Sequence, residues 1–262
     1  MEITKEHIVD WSIRLGRIAM DIGHQLHGSK VSGFSKYLLG LTSRQATILQ
    51  DIHFILRDNP ESQLTSAFIL FRCLLDDFIT VLFFKAGNFN EEELICHTAE
   101  AERQKFKMYD ESKYINERYF ERRNENLANQ EYIDSKKVEL TSNPDNDILF
   151  ADKEQFRFKR ALTVADMIAE IPERNSVLAK PNVHAFVIWK LLSNYVHYSL
   201  FNYHLETSSE SRKIEISQCQ EILSYCFKCL SIISDQLNDM GFKHDFRDPS
   251  HVHKEIFAGF NN

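Results

Sequence analysis

Apolar residues recur along the first segment at steps of three and four. Residues 5 to 27 place Ile8, Trp11, Ile13, Leu15, Ile18, Ile22 and Leu26 on one face of a helix. The stretch from Gly28 to Gly33 ends it. Thr42 or Ser43 can cap a second helix running to about Arg57, because a hydroxyl there can accept from the free amides of a first turn. Asn59-Pro60 reads as a stop and restart, since proline suits a first helical position, and the third helix runs to about Lys85 before Gly87 closes it. Asn90 with Glu91, Glu92 and Glu93 behind it is a strong fourth start: a capping side chain, then acids near the positive end of the helix dipole. From Glu100 to Lys137 no glycine or proline interrupts a run of mixed charge, with opposite signs often three or four residues apart. This predicts one long polar helix, with Phe106, Tyr109, Tyr114, Tyr119 and Phe120 as its inner stripe.

Thr141 to Asp147 reads as a linker, because each residue type there bonds its own backbone or fixes φ. A fifth helix is expected from about Lys153 to Glu170. Ile171-Pro172 and Lys180-Pro181 bracket a short connection, and an aromatic-rich sixth helix runs from about Asn182 to Leu205. Thr207 to Glu210 forms a turn and cap before a seventh helix that ends at about Met240, marked by Gly241. The predicted fold is all-α: a single domain over 1–262, a bundle of about seven helices, with a flexible loop near 141–152 and an irregular tail over 242–262. One domain is favoured over two because the most apolar helices, the third and the sixth, lie on opposite sides of the linker.

Composition sharpens this picture. Eight glycines and five prolines in 262 residues are few for a fold built on tight turns, which supports long helices. A formal charge of −7 provides no general attraction to nucleic acid or anionic lipid, so any such contact must be local. The first residues lack the basic-then-apolar pattern of a secretory signal, and five cysteines without framework spacing read as free thiols, so the expected location is the cytoplasm. The most apolar run, residues 67 to 84, carries Arg72, Asp76 and Asp77, which argues for a buried helix and against a membrane span.

Two helices carry candidate chemistry. Arg72 and Asp76 are four apart and share a face. They can form an internal ion pair that ties helices together, or make Arg72 an anion clamp oriented by Asp76, or point to water. The sixth helix places Lys190, Ser193, Asn194 and His197 along one face, followed by Tyr198. His197 is the only type of side chain there whose unperturbed form allows proton transfer near neutrality, and Ser193 or Asn194 can fix its tautomer. It can equally be a buried histidine satisfied by its neighbours, or less readily a metal ligand. Cys219, Cys226 and Cys229 read as small core residues; His244, Asp245, His251 and His253, like His24 and His27, are weak metal candidates. No metal site or cofactor is assigned, and phosphate-loop, dinucleotide, serine-hydrolase and zincin signatures are missing from the sequence.

The segments Arg72 to Asp76 and Leu192 to Ser199 resemble those of an uncharacterised family of bacterial all-helical proteins, with an Arg-x-x-x-acid helix and a later Ser-x-x-x-His-x-Ser helix. The similarity covers about residues 60 to 205. A more distant resemblance is to HEPN-type helical bundles, many of them ribonucleases or toxin and phage-defence components using an Arg-polar-x-x-x-His motif. Five residues before His197, where that motif has arginine, this chain has Leu192, with Lys190 two residues earlier.

The leading expectation is an interaction or regulatory protein with a buried Arg72, Asp76 and His197 network, and Asp76, Lys190, Ser193, Asn194 and Tyr198 as binding residues. The HEPN likeness implies an alternative, metal-independent RNA cleavage, with His197 as general acid or base and Arg72 or Lys190 steadying the phosphate. A third option is a small-ligand sensor in the aromatic space of Trp189, Tyr195, Tyr198 and Tyr203. The expected partner is another protein or RNA, with no membrane, and self-association through the fourth helix is open on general grounds.

Overall fold

A computed structural model describes residues 3–25, 33–58, 65–196, 209–242 and 253–254. Among them are eight α-helices: α1 (Lys5–Gln25), α2 (Gly33–Asp58), α3 (Thr65–Ala86), α4 (Glu91–Tyr119), α5 (Gln130–Ser142), α6 (Val164–Arg174), α7 (Ala179–Val196) and α8 (Ser209–Asp239). The only strands among the described residues are β1 (Phe150–Asp152) and β2 (Arg157–Phe158), an antiparallel pair. The fold is all-α. No helix among the described residues is long and apolar enough to cross a membrane. The expected tail over 242–262 lies almost wholly outside the described residues.

Contacts divide the chain into two compact units, Met1–Asn88 with Val164–Asn262, and Phe89–Thr163. In the first, α3 packs against α2, α6, α7 and α8. Phe68, Phe71, Leu74, Leu75, Phe78, Ile79 and Phe84 are all buried, while Arg72, Cys73, Asp76 and Thr80 on the remaining face are half-buried and Ile69 is exposed. Each such side chain contributes about 1.5–3 kcal/mol on burial, so α3 is the core of this unit. Of the predicted stripe of α1, Ile8, Trp11, Leu15 and Ile22 are buried with Ala19, Ile13 and Ile18 are half-buried, and Leu26 lies outside the described residues.

Several boundaries differ from the expectation, each for an identifiable reason. Helix α2 starts at Gly33 and not at Thr42, whose buried hydroxyl donates back to the Leu38 carbonyl at 2.9 Å within a continuing helix. Pro172, expected to end a helix, lies inside α6. Its missing amide leaves the Ile168 carbonyl without its helical donor, and buried Asn182 supplies one, Nδ2 to O at 3.0 Å.

In the second unit Asn90 caps α4 as expected, accepting from the Glu92 amide at 2.9 Å. The predicted continuous helix to Lys137 is broken at Phe120. Buried Asn116 donates through Nδ2 to the Asn124 carbonyl at 3.0 Å and accepts through Oδ1 from the Asn124 amide at 3.2 Å, while its own carbonyl accepts from the amides of Phe120 and Arg122. Glu121 and Arg122 take positive φ to make the turn. Phe106 belongs to the core with Ile133, Leu149, Phe150 and Phe158, but Tyr114, Tyr119 and Phe120 are exposed, so the predicted inner stripe covers only its first part. Residues 144–152, expected as loop, hold a short 3-10 helix (Pro144–Leu149) and β1, and the expected fifth helix is replaced up to Phe158 by the hairpin. Phe106, Phe150, Phe156 and Phe158 pack ring against ring there, with centroids 4.8–6.1 Å apart. This aromatic demand overrides helical propensity.

Candidate functional site

Helices α3 and α7, the two most apolar by sequence, meet along a seam that contains polar groups. Trp189 of α7 is at its centre, half-buried. Its indole Nε1–H donates to Asp76 Oδ1 at 2.5 Å. The Arg72 guanidinium lies over the same ring, 4.9 Å from Cζ to centroid, and its Nε donates to Ser193 Oγ at 3.1 Å. Ser193 in turn donates to the Trp189 carbonyl one turn back, at 2.8 Å, which fixes its rotamer. Phe186 stacks on Trp189 at 5.8 Å and an interplanar angle of 15°. Lys190 is exposed, its Nζ 5.6 Å from the Trp189 centroid and 5.4 Å from that of Phe186.

Arg72 and Asp76 therefore occupy the predicted shared face, but not as the predicted ion pair. Asp76 is used by the indole and Arg72 by Ser193 and the ring face, so Trp189 bridges them. Partial burial pushes the Asp76 carboxyl above its ordinary range, and the hydrogen bond from Trp189 and the charges of Arg72 and Arg44 oppose that rise. Of the other predicted residues, Ser193 and Lys190 are beside Trp189. The Asn194 side chain, His197 and Tyr198 lie outside the described residues, as do Tyr203 and the side chain of Tyr195.

A second polar cluster sits one residue along α3. Asp77 is 2% exposed, and Oδ1 is paired with Nη1 of Arg44, whose side chain is 47% exposed. Oδ2 finds no hydrogen-bond partner among the described residues. Neighbouring Gln45, fully buried, donates through Nε2 to Cys229 Sγ at 3.0 Å. Burial pushes the Asp77 carboxyl up to about 7; Asp76 adds to the rise, while Arg44 and the Gln45 amide oppose it. Tyr37, facing the same cluster, is pushed up to about 12 by burial and by the Asp77 charge. Cys226 and Cys229 are raised by burial, so they are inert thiols of the core, in line with the sequence reading. No group of metal-ligating side chains able to hold an ion occurs among the described residues.

Asp77 was visible in the sequence as an acid inside an apolar run. Its partner was not, because Arg44 lies 33 residues upstream on another helix and only the packing of α2 on α3 brings the two together. Trp189 carried a readable signal, an indole donor in an apolar helix that must find an acceptor. No protein-family model matches this chain, and no curated protein or solved structure does either.

Proposed function

We propose that this chain is a helical interaction or regulatory module that acts by binding, with the α3–α7 seam around Trp189 as its recognition site. One observation carries the reading: a guanidinium and a carboxylate of α3 converge on a single half-buried indole of α7, where the Ser193 hydroxyl holds the guanidinium in place. Taking such groups out of water costs stability, and a seam that only had to hold two helices together is served better by aliphatic side chains. The Nε–Ser193 bond, the ring face and the indole–carboxylate bond preorganise the cluster, which is what a recognition site requires.

The chain has two tryptophans, and Trp11 is buried in α1. Trp11→Phe leaves Trp189 as the only indole reporter. A deproteinised cell extract is expected to change its emission saturably, and Arg72→Ala is expected to remove that response while the melting temperature stays within a few degrees. An extract without effect on Trp189, with intact folding, overturns the reading. RNA cleavage by the wild-type chain that is lost in His197→Ala would replace it with the enzymatic one.

A further inference from the structure

We infer that the group recognised at this seam is a phosphate, carried by a small ligand and held by Arg72 and Lys190 at the rim of Trp189; the inference rests on the binding reading above. Both cations stand over the same ring, at 4.9 and 5.6 Å from its centroid. Neither forms an ion pair among the described residues, although the chain as a whole carries a charge of −7. Most described arginines contrast with this: Arg14, Arg44, Arg57, Arg103, Arg122, Arg123, Arg157 and Arg174 each meet a carboxylate. The acid best placed to neutralise Arg72, one helical turn along α3, is turned to the indole instead.

The geometry of Arg72 adds to the argument. Ser193 takes Nε, and the ring supports the guanidinium plane. The two terminal nitrogens, with four N–H donors in fixed directions, have no hydrogen-bond partner among the described residues. A planar fork with an unused donor edge matches two oxygens of a phosphate or carboxylate. Lys190 is exposed on a flexible stem and can bring a second positive charge to the same anion, and two cations favour a dianion over a monoanion. Asp76 works against this by charge, so a neutral residue there that still accepts from Trp189 should strengthen binding.

The test uses the full chain carrying Trp11→Phe, titrated at constant ionic strength with inorganic phosphate, AMP, adenosine and acetate, reading Trp189 emission. Saturable binding of inorganic phosphate and AMP is expected, with adenosine and acetate much weaker. AMP binding without phosphate binding assigns the site to a phosphate ester; equal binding of both assigns it to the phosphate group alone. Arg72→Gln and Lys190→Gln should each weaken binding roughly tenfold, the loss of one charge-assisted contact, and Asp76→Asn should tighten it. Lys190 is on the surface, so its variant reports even if Arg72→Gln fails to fold. Absence of a saturable response to either phosphate compound overturns the inference, as does unchanged affinity in Lys190→Gln together with a folded Arg72→Gln. If the phosphate compounds fail while the cell extract still acts through Arg72, the phosphate assignment falls and the binding reading stands. If neither acts, both fall.

Discussion

Replacing Asp77 by asparagine should change how stability depends on pH, and the size of the change follows from the burial of the site. In the folded chain the carboxyl titrates near 7, against 3.8 for the ordinary group. Its folded-state pKa is raised, so the folded chain binds the proton more tightly than the unfolded one. The stability this provides is fully present below about 4 and is lost as pH rises towards 7, after which the curve is flat. A difference of about 3 in pKa corresponds to about 4 kcal/mol, and because Asp77 is only 2% exposed there is little solvent screening to reduce it. Asparagine has the same shape, keeps an oxygen for Arg44 and cannot ionise. Denaturant unfolding at pH 4.5, 6, 7 and 8 should therefore show the variant gaining on the wild type as pH rises. The expected gain is a few kcal/mol, or roughly 10 °C in melting temperature for a chain of this size. Groups shared by both proteins cancel in the difference. Parallel curves would refute the reasoning. So would a wild type that gains on the variant with rising pH, because Asp77 would then behave as an ordinary ion-paired acid held below its usual range by Arg44.

Trp189→Phe keeps the ring face for Arg72 but removes the indole N–H from Asp76, and should cost about 1–2 kcal/mol by denaturant unfolding. A cost near zero would mean that the indole bond contributes nothing. Asn116→Ala removes the clamp at the end of α4, and hydrogen exchange should show amides 120–129 losing protection along with about 2 kcal/mol of stability. In Pro172→Ala the restored amide can reach the Ile168 carbonyl, so Asn182→Ala should be less costly in that background than alone, by about 1 kcal/mol in a double-mutant cycle. Additive costs would separate Asn182 from the proline.

What the sequence made legible was local. The stripe of Ile8, Trp11, Leu15 and Ile22, the cap at Asn90 and the buried, mostly apolar character of α3 depend on neighbours within a few turns, and each is found in the structure. The failures have two sources, a local signal overlooked and a partner further along the chain. Residues 120–129 carry three asparagines, which favour turns, and Asn116, eight residues before Asn124, ties their backbone into one. Residues 150–158 could continue a helix, but Phe106 selects a hairpin that packs Phe156 and Phe158 against it. The candidate site shows the same division. Spacing placed Arg72 with Asp76 on one face and Lys190 with Ser193 on another, and the indole of Trp189 signalled the need for an acceptor, but that this acceptor is Asp76, 113 residues away, has no local trace.

The indole N–H of Trp189 is itself the most direct probe of the central claim that the α3–α7 seam is a recognition site. In a proton–nitrogen correlation spectrum of the wild-type chain the two tryptophans give two indole signals, and the Trp189 signal is expected downfield because its proton is bonded to a carboxylate. Titration with AMP at constant ionic strength should move that signal progressively to a plateau and leave the signal of buried Trp11 in place. If the Trp189 signal stays fixed with AMP and with the deproteinised cell extract alike, or both signals move together without saturating, the seam is not the site at which this chain meets its ligand.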